Sequence, residues 1–290
     1  MPQPLTDAIN ALTTYANSVT GKTPPDTTLS DAVATLAAGY GGGGSNREAE
    51  ILSGSLSGAY ENTEVTSLRN NALNECTHVT SISMPALTTA GNSAIRNCTS
   101  LTTINLPEVT SIGTYCFAGD TQLNNVTLPK LGVINNSAFE NCTGLTSASF
   151  PLATEVKDSG LRNCRFSTIV LQSVTKASTY SVSNNPSLTT VDFSVLTQLN
   201  GGSGFINNTS MTAVIIRTGT MATLSNINHF NNTPFASGKS GGTLYVPANL
   251  KTQYEQASNW STILGYANNS IQAIEGSYYE THYVDGTPIE

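Results

Sequence analysis

The chain has 290 residues, of which 38% are apolar and only 11% are charged, and its formal net charge is -7. An acidic chain with so few Lys and Arg residues excludes nucleic-acid binding through a basic face, because phosphate neutralisation needs clustered cations. No apolar run approaches the ~20 residues of a membrane helix, and residues 1–7 lack the cationic and apolar regions of a secretory signal, so we expect neither membrane insertion nor a leader.

Residues 1–40 carry two apolar stripes at helical spacing, which predicts a helical anchor or oligomerisation segment. Gly21 marks the end of the first helix, and the second begins near residue 28. The apolar positions expected to dock are Leu5, Ile9, Leu12, Val19, Leu29, Val33 and Leu36. Helices this short do not bury their stripes alone, so we expect self-association or docking on another protein. The alternative is an ordinary cap over the domain that follows.

Residues 41–50 predict a glycine-rich linker, since residues 41–44 are four consecutive glycines. A flexible tether favours docking over capping, because a cap gains nothing from it.

Residues 51–236 repeat at a fixed spacing, which is marked by four prolines, Pro85, Pro107, Pro129 and Pro151. An alternating apolar pair precedes each proline, and the pattern continues with one-residue slips as far as Val214 and Ile216. Alternation predicts a short strand with one buried face, and proline ends each strand. Because a single repeat cannot bury its apolar side, the repeats must stack. The prediction is a leucine-rich-repeat-like solenoid of short parallel strands, with about 22 residues per coil.

The five cysteines follow the same period. Cys76 and Cys98 are one period apart, as are Cys142 and Cys164, whereas Cys116 aligns with small residues of neighbouring repeats. Repeat-locked spacing favours small buried side chains over disulfides. The chain has no CxxC pair and no histidine cluster, which argues against zinc.

The outward side chains of the predicted strands form the candidate binding surface, because the sheet face of a repeat protein is its usual contact surface. They are Ser83, Asn105, Thr127, Ser149, Val170, Asp192 and Ile215. The first half of this face is small and polar, without the aromatic anchors of binding hot spots. Either the face contacts carbohydrate or protein weakly and repeatedly, or recognition lies on loops.

The C-terminal part predicts an α/β cap over residues 237–276 and a tail over residues 277–290. A helix following Pro247 would place Tyr254 and Trp260 over the open end of the last coil. Residues 226–242 break the period and predict a longer loop. The aromatic-rich tail is either a docking strand or an ordered extension.

No catalytic motif is present: the chain has no GxSxG, HExxH, P-loop or dinucleotide fingerprint. Acidic residues are scattered, without a recurring pair suited to glycoside cleavage. We therefore expect a protein that is not an enzyme and that has no cofactor or metal.

The repeat unit reads L-x-x-I-x-L-P-x-V-x-x-I, as in residues 101–112, and Asn-Cys-Thr recurs before the strand, as in residues 97–99. Over residues 65–217 this combination resembles the BspA-like leucine-rich repeats of bacterial surface proteins, and Leu244-Tyr245-Val246-Pro247 looks like the family's C-terminal end. The chain departs from common leucine-rich repeats because Pro107 and Val109 stand where Asn or Cys usually follows the strand. The resemblance implies binding to host or matrix components rather than catalysis.

The opening segment, Leu5-Thr6-Asp7-Ala8-Ile9-Asn10-Ala11-Leu12 through Gly44, resembles the start of tail or minor structural proteins of phages that infect gut Firmicutes. This second resemblance implies docking on other virion proteins through the helices, a homo-oligomer, and contact of the solenoid with a bacterial surface protein or glycan.

Three functions follow from these patterns. The first is a tail-associated virion protein for adhesion or receptor binding. The second is a bacterial cell-surface adhesin that binds host matrix protein or glycan. The third is an intracellular scaffold, which the reduced cysteines would allow but the Thr- and Asn-rich, charge-poor surface disfavours.

Overall fold

A computed structural model describes residues 56–289 of the chain. These residues form a parallel-strand solenoid of about eight turns with about 22 residues per coil, which confirms the predicted fold class. The predicted N-terminal helices, with Leu5, Ile9, Leu12, Val19, Leu29, Val33 and Leu36, and the whole of the predicted linker lie outside the described residues.

Each coil contributes one longer strand to a first sheet face. These strands are β1 (Ser57–Glu61), β3 (His78–Ser83), β5 (Thr103–Asn105), β7 (Asn125–Thr127), β8 (Ser147–Ser149), β10 (Thr168–Leu171), β12 (Thr190–Phe193), β14 (Ala213–Ile216), β16 (Thr243–Val246) and β17 (Ser270–Ala273). Most coils add a two-residue strand to a second face. These strands are β2 (Ser67–Leu68), β4 (Thr89–Ala90), β6 (Ser111–Ile112), β9 (Glu155–Val156), β11 (Lys176–Ala177), β13 (Gln198–Leu199) and β15 (Thr223–Leu224).

The strand register reproduces the sequence period. Ser81 pairs with Thr103 in a parallel ladder, one period along the chain, and Thr168 pairs with Thr190 in the same way. The first face consists of the paired groups β1-β3-β5, β7-β8 and β10-β12-β14-β16-β17, and β5 lies beside β7 as β8 lies beside β10. The outward side chains of successive coils therefore form continuous rows.

The core is one apolar cluster that runs the length of the solenoid, because the inward residue of each strand packs on that of the next coil. Phe117 and Phe139 illustrate this stacking, with ring centroids 5.1 Å apart and planes within 2° of parallel.

All five cysteines are buried free thiols, as the spacing predicted. The Sγ atoms of Cys98 and Cys142 donate to the carbonyls of Leu73 and Phe117 in the preceding coil, at 3.2 and 3.0 Å. Cys116 occupies the same kind of fully buried position as Ala94 and Ala138.

The asparagines explain the Asn-Cys-Thr triplets. Asn97, Asn141 and Asn163 all have left-handed backbone angles, with φ of 57°, 63° and 56°, a conformation that Asn tolerates better than most residues. Asn163 Nδ2 also donates to Asn141 Oδ1 at 2.7 Å. Asn141 and Asn163 therefore bond to each other between coils, in addition to forming their turns.

The C-terminal end differs from the predicted single helix. Two short helices, α1 (Lys251–Gln256) and α2 (Ser258–Leu264), are separated by Ala257, whose ψ of 134° is extended. Strands β16 and β17 continue the first sheet face into the segment predicted as the cap. Ala213 pairs with Thr243, so the coil between them is longer than the others and contains the predicted longer loop. Among residues 56–289, no helix is long and apolar enough to cross a membrane.

Candidate functional site

The N-terminal half of the first sheet face is open to solvent. Asn105, Thr127 and Ser149 are exposed, and Ser83 and Val170 are half-buried, as expected for outward strand positions. Asn105 Nδ2 donates to Ser83 Oγ at 3.1 Å, so neighbouring side chains of this row are already aligned between coils. The structure thus brings five of the seven predicted residues into one accessible row.

A second exposed row runs beside the first. Thr103, Asn125 and Ser147 lie two residues earlier on the same strands, and all three are exposed. Together the two rows present hydroxyl and amide groups without a charged side chain on β5, β7 and β8. Such a surface offers many neutral hydrogen bonds, each of which contributes little by itself.

The predicted accessibility of Asp192 and Ile215 is wrong. Both lie in the same outward row, but both are 0% exposed. For Asp192 the physical reason is the tail, whose residues 277–289 fold back over this part of the face and bond to Asp192 and Arg217. The C-terminal half of the face is therefore covered by the chain itself around Asp192, whereas Gln272 on β17 stays exposed.

A buried ion pair joins the covered strands to the tail. Arg217 donates from Nε to Asp192 Oδ1 at 2.8 Å and from Nη2 to Oδ2 at 2.7 Å, a bidentate geometry. The guanidinium also donates to the carbonyl oxygens of Tyr279 and His282. The Val284 backbone N–H donates to Asp192 Oδ2 at 3.1 Å. Burial raises the pKa of Asp192, and the hydrogen bonds and charge of Arg217 oppose that rise.

Sequence reasoning missed two exposed tyrosines on another edge of the solenoid. Tyr115 and Tyr180 are 41% and 40% exposed, and each lies under an arginine of the preceding coil. The guanidinium carbons of Arg96 and Arg162 are both 5.4 Å from the ring centroids. The signal was present in the repeat alignment, since Tyr replaces the Ser found at this position in other coils, such as Ser137.

Burial keeps the cysteine thiols and the His229 imidazole of the solenoid in their neutral forms. Burial raises the pKa of Cys76 to about 11 and that of Cys116 to about 12, which keeps both thiols protonated at neutral pH. Burial lowers the pKa of His229 to about 4, and its Nδ1 accepts from the Gly204 N–H at 3.1 Å. Within residues 56–289, no three His, Cys, Asp or Glu side chains are grouped so that they could hold a metal ion.

Comparison with known proteins identifies the repeats. Residues 55–165 and 110–237 match the BspA type leucine rich repeat region, with six copies. No curated protein matches the chain.

Several solved structures are similar to the chain at low identity. A leucine rich cell surface protein from Faecalibacterium prausnitzii is 15% identical with a TM-score of 0.48, and the match covers 76% of this chain and 79% of that protein. A leucine-rich repeat protein from Bacteroides ovatus is 16% identical with a TM-score of 0.35, over 72% and 78% of the two chains. The pneumococcal vaccine antigen PcpA is 11% identical with a TM-score of 0.38, over 75% and 77%.

Of the two resemblances noted in the sequence, the comparisons support only the one to BspA-type repeats. The likeness of residues 5–44 to phage tail proteins finds no support in these comparisons and stays a prediction. The repeat match spans well over half of the chain, so the protein belongs to the family with BspA type leucine-rich repeats.

Proposed function

We propose that this protein is a non-enzymatic, adhesion-type protein that acts at an extracellular surface and contacts a protein or glycan through its solenoid. The observation that carries the proposal is the open half of the first sheet face, with its two aligned rows of exposed polar side chains on β5, β7 and β8. Membership of the BspA-type repeat family supports a cell-surface setting. The virion setting rests only on the resemblance of residues 5–44.

The geometry of the face favours many small contacts. Adjacent strands lie about 4.8 Å apart, so the two rows offer a regular array of hydroxyl and amide groups. Without charges or large aromatic anchors, each contact is weak, and strong attachment needs several copies acting together. Oligomers assembled through residues 1–40 would supply that avidity, and deletion of residues 1–44 should then leave a monomer in light scattering.

The test is binding of the purified chain to immobilised host matrix proteins and to a glycan array. Asn105→Arg and Ser149→Arg place a long charged side chain in the open rows, and each should reduce binding by about tenfold or more through steric exclusion and lost hydrogen bonds. Ser111→Arg on β6 is the matched control, because Ser111 is equally exposed but lies on the second face. If Asn105→Arg and Ser149→Arg bind as tightly as the Ser111→Arg control, the open half of the first face is not the binding surface.

A further inference from the structure

The tail is attached to the first sheet face in the manner of a bound ligand. None of residues 277–289 is buried, so the segment contributes no side chain to the core. Tyr278, for example, is 59% exposed. The tail therefore rests on a surface that the solenoid has already completed.

The polar contacts of the ion pair with the tail all go to main-chain atoms. Arg217 donates to the carbonyl oxygens of Tyr279 and His282, and Asp192 accepts from the Val284 N–H. These atoms are common to every polypeptide, so the pair recognises a chain conformation rather than particular side chains. Glycans do not offer the same combination of two peptide carbonyls and one peptide N–H.

The buried ion pair also needs hydrogen-bond partners beyond its own two side chains. The Asp192 side chain is 0% exposed and that of Arg217 is 11% exposed. A buried pair compensates for its desolvation only when its remaining donors and acceptors are hydrogen-bonded, and here the tail supplies those partners. Two aromatic contacts add to the seat: the Tyr245 and Tyr279 ring centroids are 4.8 Å apart, and the Arg217 guanidinium lies 5.2 Å from the Tyr283 ring.

The tail carries its own internal structure. Tyr283 N–H donates to Thr287 O at 2.8 Å and Ile289 N–H to Thr281 O at 3.0 Å, which closes a small hairpin. Gly276, with φ of 79° and no atom near the position of a β-carbon, joins this hairpin to the solenoid. Ser277 keeps the start of the tail on the Ile274 carbonyl, with bonds of 3.0 Å from its N–H and 2.6 Å from its Oγ. Beyond that point the hairpin has internal bonds of its own, so it can leave and return as a unit.

We propose that Asp192, Arg217 and Tyr245 form a binding site for a polypeptide hairpin, and that residues 277–289 of this chain fill that site in cis as an exchangeable plug. The inference rests on the proposed function in one respect, since it names protein as the partner class for the covered half of the same sheet face. While the plug is seated, only the open half of the face is available to a partner.

The experiment uses the full chain with a protease recognition sequence inserted between Gly276 and Ser277. After cutting, a fluorescent peptide of residues 277–290 is titrated against the protein, and its anisotropy is measured. We expect saturable binding to the cut chain. The uncut chain should bind the same peptide much more weakly, because its tethered tail competes at high effective concentration.

Two variants locate the site. Asp192→Asn should weaken peptide binding by about tenfold or more, since it removes the charge from a buried hydrogen-bonded pair. Tyr245→Ala should weaken it through the lost ring contact, without disturbing the ion pair. Glu108→Gln is the matched control, because it removes one carboxylate from the exposed inter-coil pair of Lys130 and Glu108, and it should leave binding unchanged.

Three outcomes would overturn the proposal. In the first, the cut chain melts like the uncut one but binds no peptide. In the second, the cut tail never exchanges with the labelled peptide. In the third, Asp192→Asn and Tyr245→Ala leave peptide binding unchanged. The Ser149→Arg variant separates this site from the open half of the face. Normal peptide binding with lost surface binding in that variant supports two distinct sites, whereas lost peptide binding in it would overturn the placement at Asp192 and Arg217.

Discussion

At the scale of single residues, Asp120 occupies a position that other coils give to a hydrogen-bond donor. Its Oδ1 accepts from the Cys98 N–H at 2.8 Å, just as Asn185 Oδ1 accepts from the Cys164 N–H at 2.8 Å. Asn185 also donates from Nδ2 to the Leu161 carbonyl of the preceding coil at 3.1 Å. Cys164, at the same repeat position, donates from Sγ to the Phe139 carbonyl in the same way. Within residues 56–289, Asp120 Oδ2 is buried and has no hydrogen-bond partner.

The environment of Asp120 favours a neutral carboxyl. Burial raises its pKa well above the usual range, and the nearby thiols of Cys98, Cys116 and Cys142 provide no compensating positive charge. Because the folded-state pKa lies above the unfolded-state pKa, ionisation opposes folding. The stability contribution is greatest below the unfolded pKa and falls as the pH rises from there toward the folded pKa.

We predict that Asp120→Asn stabilises the protein at neutral pH. The amide keeps the acceptor for Cys98, adds a donor like that of Asn185, and removes the ionisable group, so the free energy of unfolding should rise by about 1–3 kcal/mol. Urea unfolding at pH 4 and pH 7 measures the effect, which should shrink at the lower pH. Asp158→Asn, at an exposed position, is the control. A less stable Asp120→Asn protein at pH 7 would contradict this account.

At the scale of elements, most coils turn through two left-handed residues four positions apart. In one coil these are Ser93 and Asn97, with φ of 53° and 57°, and in the next they are Tyr115 and Gly119, with φ of 58° and 79°. Gly119 replaces the usual Asn at a point where a β-carbon would collide with Asn97 Oδ1 of the preceding coil. The left-handed backbone angle favours glycine there over a residue such as Ala, and a β-carbon would also force the Asn97 carboxamide to turn aside.

We predict that Gly119→Ala lowers the free energy of unfolding by about 1–2 kcal/mol from the left-handed backbone alone, with a further loss from the collision. Thermal and urea unfolding measure the change. Gly202→Ala is the matched control, since a β-carbon there meets no atom within 4 Å and the backbone angle is not left-handed. Equal stability of the two variants would show that the turn tolerates a side chain.

At the scale of the whole molecule, the solenoid depends on closure of its C-terminal end. The lone tryptophan, Trp260, is 2% exposed, and its Nε1 donates to the Ala222 carbonyl at 2.8 Å. Tyr254 accepts from the Ala222 N–H through its hydroxyl at 2.8 Å. The two short helices thus pack against the coil that contains Ala222 and satisfy its backbone groups, and the role of Trp260 in closing that end stays a prediction.

We predict that Trp260→Ala lowers the free energy of unfolding by about 3–5 kcal/mol, because it opens a cavity and exposes the end of the core. Tyr254→Phe should cost only about 1 kcal/mol, since it removes one hydrogen bond and little packing. Urea unfolding compares the two, and sedimentation shows whether the opened end causes association. A Trp260→Ala protein as stable as the parent would show that packing of the two C-terminal helices does not determine stability.

The five buried cysteines give a second prediction at this scale. Because all five cysteines are free and buried, a reducing agent should leave the melting temperature unchanged. Alkylation by iodoacetamide should require unfolding, since burial raises the pKa of thiols such as Cys76 and keeps the reactive thiolate scarce. A fall of many degrees on reduction would instead indicate disulfides.

The sequence by itself determined the repeat, the inward rows and the burial of the cysteines. Residues one period apart occupy equivalent environments in a solenoid, so local alternation and a constant period are sufficient to place residues such as Cys98 and Asn105. The tyrosines Tyr115 and Tyr180 lie at one repeat position that other coils fill with Ser, so the same alignment marks them too. The helix break at Ala257 lay beyond this reasoning, because it falls in the C-terminal segment, where the period is lost.

Only the tertiary structure decided which part of the outward face is accessible. Asp192 was visible in the sequence as a member of the outward row, whereas no pattern pointed to Arg217 as its partner. That they bond to each other and to Tyr279, His282 and Val284 depends on contacts up to 92 residues apart in the chain. Such contacts follow from how the chain returns over the sheet, which no repeated local pattern encodes.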